Sequence, residues 1–395
     1  MPTGRFIRVA AFVALANPLF LISAAHAQWT FTSLNPADAP GSLGYDVSDG
    51  QQVGTSLLSG VWRASLWSGT AESWVDLNPT GSTQSTAFAI SGGQQVGEAR
   101  FGGVDRASLW SGTAASWVDL SPVGATDSRA QGIGGGQQVG FARLDGILRA
   151  SLWTGTAASR VDLHPTGSIG SLAYDTNGAQ QVGWAAVNGT GDHRASLWSG
   201  TAASWVDLAP VGSNYSYANA IDGDQQVGVV SIGWERASLW RGTSASWVDL
   251  TPTDHPYATS EARDAFGGQQ VGYAFVNDEL RASLWSGSGA SWVDLSAYLP
   301  ADYIQSEAFG ISSDGVNIYI TGFGHRGGGV VEAWMLTQPV PEPETWLLML
   351  IGAGWVARQA RRPIRPAGPA GASRFGAGYA AHRIKPEDAC TARLR

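Results

Sequence analysis

The sequence predicts an all-β fold: a seven-bladed β-propeller of four-stranded blades closed by an N-terminal strand, followed by a C-terminal transmembrane sorting helix. Three observations predict the propeller. A segment reading Gln-Gln-Val-Gly, then Arg-Ala-Ser-Leu-Trp, then Val-Asp-Leu occurs six times, opened by Gln51, Gln94, Gln137, Gln180, Gln225 and Gln269. The spacings are 43, 43, 43, 45 and 44 residues, and a period of about 40–45 residues with several short strands per unit marks a propeller blade. Each unit divides into four short extended runs separated by glycine-bearing turns. Finally, the fragments at the two ends of the array sum to one further unit.

The second unit shows the element order. Extended runs are predicted over Ala87–Ser91, Gln94–Ala99, Arg106–Ser111 and Ser116–Leu120. Gly92-Gly93 separates the first two, with Asp49-Gly50, Asn177-Gly178 and Asp222-Gly223 at matching places, and such pairs supply the positive φ of tight hairpins. Gly102-Gly103 makes the second turn and the segment Gly112-Thr113-Ala114-Ala115 the third.

Side chains alternate along a strand. With Trp110 opposite Trp117, Arg106, Ser108, Trp110, Trp117 and Asp119 share one face, and Ala107, Leu109, Val118 and Leu120 share the other. Arg106 then lies diagonally near Asp119. Chemistry needs one site, whereas packing needs the same device in every blade. The recurring Arg63, Arg106, Arg149, Arg194, Arg236 and Arg281, with Asp76, Asp119, Asp162, Asp207, Asp249 and Asp294, therefore read as structural. One unit carries Arg160 where the others have the second tryptophan, a single exchange read as drift.

A seventh unit is split. Ala308–Leu336 supplies three strands, and the fourth is found at the start, where Trp29–Pro36 mirrors Ser73–Pro79. Joining them removes the open sheet edges that make arrays aggregate. The propeller is assigned to residues 28–338.

The ends carry addresses. Residues 1–27 pair Arg5 and Arg8 with an apolar run and Ala25-His26-Ala27, the order of a cleaved signal peptide. Residues 339–362 hold Val340, Pro341, Glu342, Pro343 and Glu344, then an apolar stretch at 345–357, then Arg358, Arg361 and Arg362. A Pro-rich spacer, an apolar segment and a basic cluster make a stop-transfer signal. The trio resembles the PEP-CTERM sorting signal of Gram-negative bacteria that make exopolysaccharide. That resemblance implies recognition of Pro341, Glu342 and Pro343 by an exosortase-like processing enzyme, transient residence in the inner membrane, and release to the cell surface or extracellular matrix. The 13-residue apolar run is short of the ~20 residues that usually span a bilayer. The tail at 363–395, rich in Ala, Gly, Pro and Arg, reads as disordered.

The units also resemble the HAF family of bacterial extracellular repeats, through Ala87-Phe88-Ala89, Leu172-Ala173-Tyr174 and Ala308-Phe309-Gly310. This resemblance implies an extracellular repeat protein without an assigned activity.

Charge narrows the partners. Between Gln28 and Ala357 there are 13 basic and 30 acidic residues, a net of −17, which argues against nucleic acid or anionic lipid as a ligand. The sole cysteine, Cys390, lies in the tail, so the repeats can form no disulfide or thiolate metal site. His164, His193, His255 and His325 fall in different units with no metal-ligand spacing, and neither a Gly-x-Ser-x-Gly elbow nor a phosphate loop is present. No catalytic residue, metal or cofactor is therefore assigned.

What differs between units is the connection into each first strand and the second hairpin, and binding residues tend to sit on such loops. Tyr215, Tyr217, Trp234, Asp254, His255 and Tyr257 are the candidate ligand-binding residues, with Trp184, Glu261, Tyr298, Asp302 and Tyr303 as further variable positions. Aromatic rings beside carboxylates suit sugar stacking and hydroxyl recognition. The expectation is a secreted, non-enzymatic repeat protein that binds exopolysaccharide or a surface partner. Its rivals are a carbohydrate-active lyase or glycoside hydrolase, which would need Asp254, His255 and Glu261 to converge at one channel mouth, and a purely structural matrix protein.

Overall fold

The computed structural model describes residues 28–187, 191–340 and Trp355. The signal peptide, the sorting motif from Pro341 onward, Arg358, Arg361, Arg362 and the tail lie outside the described residues. Among the described residues no helix is long and apolar enough to cross a membrane.

Among the described residues, twenty-eight strands form seven four-stranded antiparallel sheets, each a propeller blade. Blade 2 runs Gln84–Ser91, Gln94–Phe101, Val104–Trp110 and Val118–Asp119, and blades 1 and 3 to 6 repeat that order. In blade 7, Tyr303–Ser313, Asn317–Arg326 and Val330–Pro339 are joined at the outer edge by Thr30–Ser33, with Thr30 opposite Thr337 and Ser33 opposite Trp334. The sheet thus takes in Pro339, the first residue of the segment assigned to sorting. The N–H of Val340 then donates to the Val316 carbonyl at 2.8 Å. The first strand of every blade touches the first strands on either side, including Tyr303–Ser313 against Gly41–Ser48. These seven strands surround the central channel.

The outer strand is shorter than the sequence suggests: two residues, Val118–Asp119, where Ser116–Leu120 was expected. The segment before it coils into a 3₁₀ turn at Ala114–Ser116. There the Ser116 hydroxyl donates to the Thr113 carbonyl at 2.6 Å and accepts the Ser111 N–H at 2.8 Å. This local serine bonding competes with the ladder and delays the strand.

The repeated words are packing devices. Trp110 is fully buried against Val53, Ala64, Leu66 and Leu77 of blade 1, while Ala107, Leu109 and Leu120 pack on Ala130, Ile133 and Trp153 of blade 3. The second glutamine clamps two turns: Gln95 Nε2 donates to the Gly93 carbonyl at 2.9 Å, and its Oε1 accepts the Gly112 N–H at 2.8 Å. Gln52, Gln138, Gln226 and Gln270 make the same pair of bonds.

One serine pins each blade to the preceding one. The Ala107 N–H donates to Ser128 Oγ at 2.9 Å, and the equivalent bond from Ala333 to Ser42, 3.0 Å, joins blade 7 to blade 1. The expected diagonal pairs form too: Arg106–Asp119 at 2.7 Å, Arg63–Asp76 at 2.7 Å, Arg194–Asp207 at 2.6 Å and Arg236–Asp249 at 2.5 Å. Arg281–Asp294 is looser at 3.7 Å because Glu279 also engages Arg281.

Arg160 has a physical reading. In blade 2, Trp117 Nε1 donates to Ser108 Oγ at 2.8 Å; in blade 3, Arg160 Nε donates to Ser151 Oγ, also at 2.8 Å. The guanidinium reproduces the indole bond and adds a contact to Asp162 at 3.4 Å. It is a structural substitute.

Candidate functional site

A β-bulge in every first strand builds the site. The register slips between Ala87 and Ala89 in blade 2 and at the equivalent place in the other six blades. The skipped residues are Tyr45, Phe88, Gln131, Tyr174, Asn219, Arg263 and Phe309, one per blade. Each bulge faces a glycine on the second strand, that of Val-Gly in blades 1 to 6 and of Thr321-Gly322 in blade 7. A Cβ on Gly97 would lie 1.9 Å from the Thr86 carbonyl oxygen, so only glycine fits beneath the displaced backbone. An extra residue in one strand breaks the in-out alternation. Two successive residues of each first strand can then face the channel.

All seven bulge residues line one cavity of about 410 Å³, together with Asp46, Asp175, Asp264, Glu235, Glu261 and Tyr217. The wall is two-sided. Phe309, Tyr45 and Phe88 form an aromatic arc across blades 7, 1 and 2, with Tyr45 5.6 Å from Phe309 and 5.7 Å from Phe88 between ring centres. Gln131, Tyr174, Asn219 and Arg263 make the opposite, polar arc.

Arg263 lies 5.0 Å from the Phe309 ring centre, pairs with Glu261 at 2.9 Å, and reaches Glu307 at 4.0 Å. The side chain is half-buried, and its Nε, shielded from solvent, has no hydrogen-bond partner among the described residues. Asn219 Nδ2 and the Tyr273 hydroxyl donate to Glu261 at 2.7 and 3.1 Å. Arg129 pairs with Glu98 at 2.6 Å and lies over Phe88.

Three aspartates follow bulge residues, in blades 1, 4 and 6. Asp46 accepts the N–H of Val47 at 2.7 Å and of Ile90, in the next blade, at 2.8 Å. Asp264 likewise accepts from Ala265 and from Ile311 of blade 7, and Asp175 from Ile221 of blade 5. Each therefore ties two blades together. Solvent reaches them only along the channel, and protein surrounds them otherwise. Burial pushes Asp46 up to about 7 and Asp175 up to about 6, against the backbone N–H bonds, which lower both. Asp264 is raised by burial first and then by the charge of Asp46. Burial also raises Glu98 and Glu307.

The candidates read from sequence fall in two places. Tyr217 lines the channel; its hydroxyl is 2.8 Å from His193 Nδ1, and that imidazole stacks on Trp184 at 3.8 Å. Tyr215 adjoins Tyr217 and donates to Glu235 at 2.6 Å. Asp254, His255 and Tyr257 instead line a separate cavity of about 350 Å³ with Phe275, Asn277 and Asp278. Trp234 stands beside Tyr257, 5.4 Å between rings. Glu261 is in the channel, so Asp254, His255 and Glu261 line different cavities.

Tyr303 and Asp302 join Arg326 and Glu332 in a network at blade 7, and Tyr298 is exposed. Among the described residues no group of three or more His, Cys, Asp or Glu is placed to hold a metal ion. The bulge ring and the three aspartates were not singled out from sequence as a site. The residue after the small one in the Ala-Phe-Ala-like run, Phe88 after Ala87 and Tyr174 after Ala173, was the available signal for the ring.

No protein-family model matches the chain, and no characterised protein matches by sequence. Solved structures match in fold. The β-propeller domain of the Trilobed protease from Pyrococcus furiosus, described as having an open velcro topology, aligns at 10% identity and a TM-score of 0.50, covering 76% of this chain and 98% of that one. One of two prolyl endopeptidases aligns at 13% identity and a TM-score of 0.52, covering 78% and 52%. TolB from Acinetobacter baumannii aligns at 12% identity and a TM-score of 0.41, covering 65% and 64%. The chain thus spans about half the length of the endopeptidase and just under two thirds of TolB. Likeness at these identities establishes the β-propeller scaffold alone.

Proposed function

We propose that this chain is an exported, non-enzymatic propeller that binds exopolysaccharide through its central channel. The observation that carries the reading is the two-sided wall, an aromatic arc facing an arc of hydrogen-bonding and charged groups. Sugars present apolar ring faces and polar rims, and a cleft with both kinds of wall fits them. The separation of Asp254 and His255 from Glu261 removes the particular acid–base set that the sequence offered for hydrolysis.

Export follows from the leader at 1–27. Sorting follows from Val340–Glu344, the apolar segment 345–357 and Arg358, Arg361 and Arg362, with an exosortase-like enzyme as the processing partner. The segment Thr30–Ser33 would fasten the ring, because its pairing with Val330–Pro339 supplies blade 7 with its fourth strand. Incubation of the purified chain with a panel of bacterial exopolysaccharides tests the binding. Retention with no change in polymer length is expected. Shortening of the polymer would transfer the channel to the enzyme reading, and absence of retention on every polymer would reject both.

A further inference from the structure

The channel gathers more carboxyl groups than a neutral ligand would require, and from this mismatch we infer that it receives a protonated amine, so that the glycan it binds carries free amino groups. This rests on glycan binding at the same cavity and adds the class of sugar. Arg263 of the channel wall is already engaged by Glu261 at 2.9 Å, and Arg129, over the Phe88 ring, by Glu98 at 2.6 Å. Among the described residues no basic side chain pairs with Asp46, Asp175 or Asp264. Their bonds come from backbone N–H groups, and after burial the charge of Asp175 raises Asp46 and the charge of Asp46 raises Asp264.

Beside the Asp46 carboxylate stand the rings of Tyr45 and Phe88, opening on the same cavity. An ammonium gains from a ring face and from a carboxylate at once, and gains most where water is scarce. A bare metal ion fits less well, because the described residues gather no set of three ligands. An aminosugar brings three N–H donors on a frame wide enough to meet carboxylates spread over blades 1, 4 and 6.

Calorimetric titration of the full chain with glucosamine oligomers, and with N-acetylglucosamine oligomers of equal length, tests this at neutral pH. The free amine should bind about 10- to 30-fold more tightly, and added sodium chloride should shrink that preference, since salt screens charge. The double variant Asp46→Asn, Asp264→Asn should lose the preference, read as the ratio of the two affinities. If that variant does not fold, the salt dependence of the wild-type chain decides. Equal, salt-insensitive affinities overturn amine recognition and leave glycan binding standing. A lysine-rich peptide that displaces the glucosamine oligomer and binds more tightly also overturns it. Failure to bind either oligomer or any neutral polysaccharide removes the glycan reading as well.

Discussion

Gly97 and Phe88 form one device. Gly97 lies opposite Ala87, beneath the Thr86 carbonyl, and the close approach that its missing side chain permits is what turns Phe88 out into the channel. The repeated glycine of the scaffold thereby presents the least repeated side chain of each blade.

Gly97→Ala should be far more damaging than Gly103→Ala, although Gly103 has the unusual backbone. A methyl group at 97 would meet backbone 1.9 Å away, whereas Gly103, at φ +85°, faces open space. Urea unfolding is expected to show a loss of about 3 kcal/mol or more at 97, against about 1 kcal/mol at 103.

The buried indoles differ from the half-buried ones. Trp110 Nε1 has no hydrogen-bond partner, while Trp117 Nε1 bonds Ser108. Trp110→Phe sacrifices no hydrogen bond and should cost less than Trp110→Ala, for which about 3–5 kcal/mol is expected. Arg160→Trp should leave thermal stability and ligand affinity near wild type, because an indole restores the bond to Ser151. Arg160→Leu removes the donor to Ser151 Oγ, which keeps its own bond to the Arg149 carbonyl, and should cost about 1 kcal/mol.

Stability should fall as pH rises from about 4 to about 7. Asp46 and Asp175 ionise near 3.8 when unfolded but at about 7 and about 6 in the fold. Across that window the folded chain binds more protons, so rising pH favours unfolding. Thermal melts at half-unit pH steps should show the decline, and Asp46→Asn should flatten its upper part. A rise over the same interval would show that other carboxylates dominate.

Removal of residues 28–36 should expose the edge at Val330–Pro339 and uncover the pocket of Leu34, which is fully buried beside Trp67, Ala333 and Met335. Self-association in light scattering, with a lower melting temperature, is the expected outcome.

Much of the scaffold was legible because its signals are local and repeated: the period, the glycine turns, the Arg–Asp diagonal. Ser116–Leu120 was read too long because the serine bonding of the 3₁₀ turn draws on the same backbone groups as a strand. The channel was harder to see for a different reason. A strict two-residue alternation sends Phe88 and Ala89 to opposite faces, and only the bulge sets both toward the axis. Asp46, Asp175 and Asp264 stayed hidden because they follow that bulge in three blades only. Tyr217 was found because it varies between units, and Asp254, His255 and Tyr257 were grouped with it although they line another cavity.

The most direct test is the affinity of the full chain for a retained polysaccharide, measured by calorimetry for the wild type, for Phe88→Ala with Phe309→Ala in the channel, and for Tyr257→Ala outside it. Loss of about tenfold or more in the channel variant, with Tyr257→Ala unchanged, is the expected result. Wild-type affinity in the channel variant, with binding lost on changing Tyr257, would contradict a ligand site in the channel.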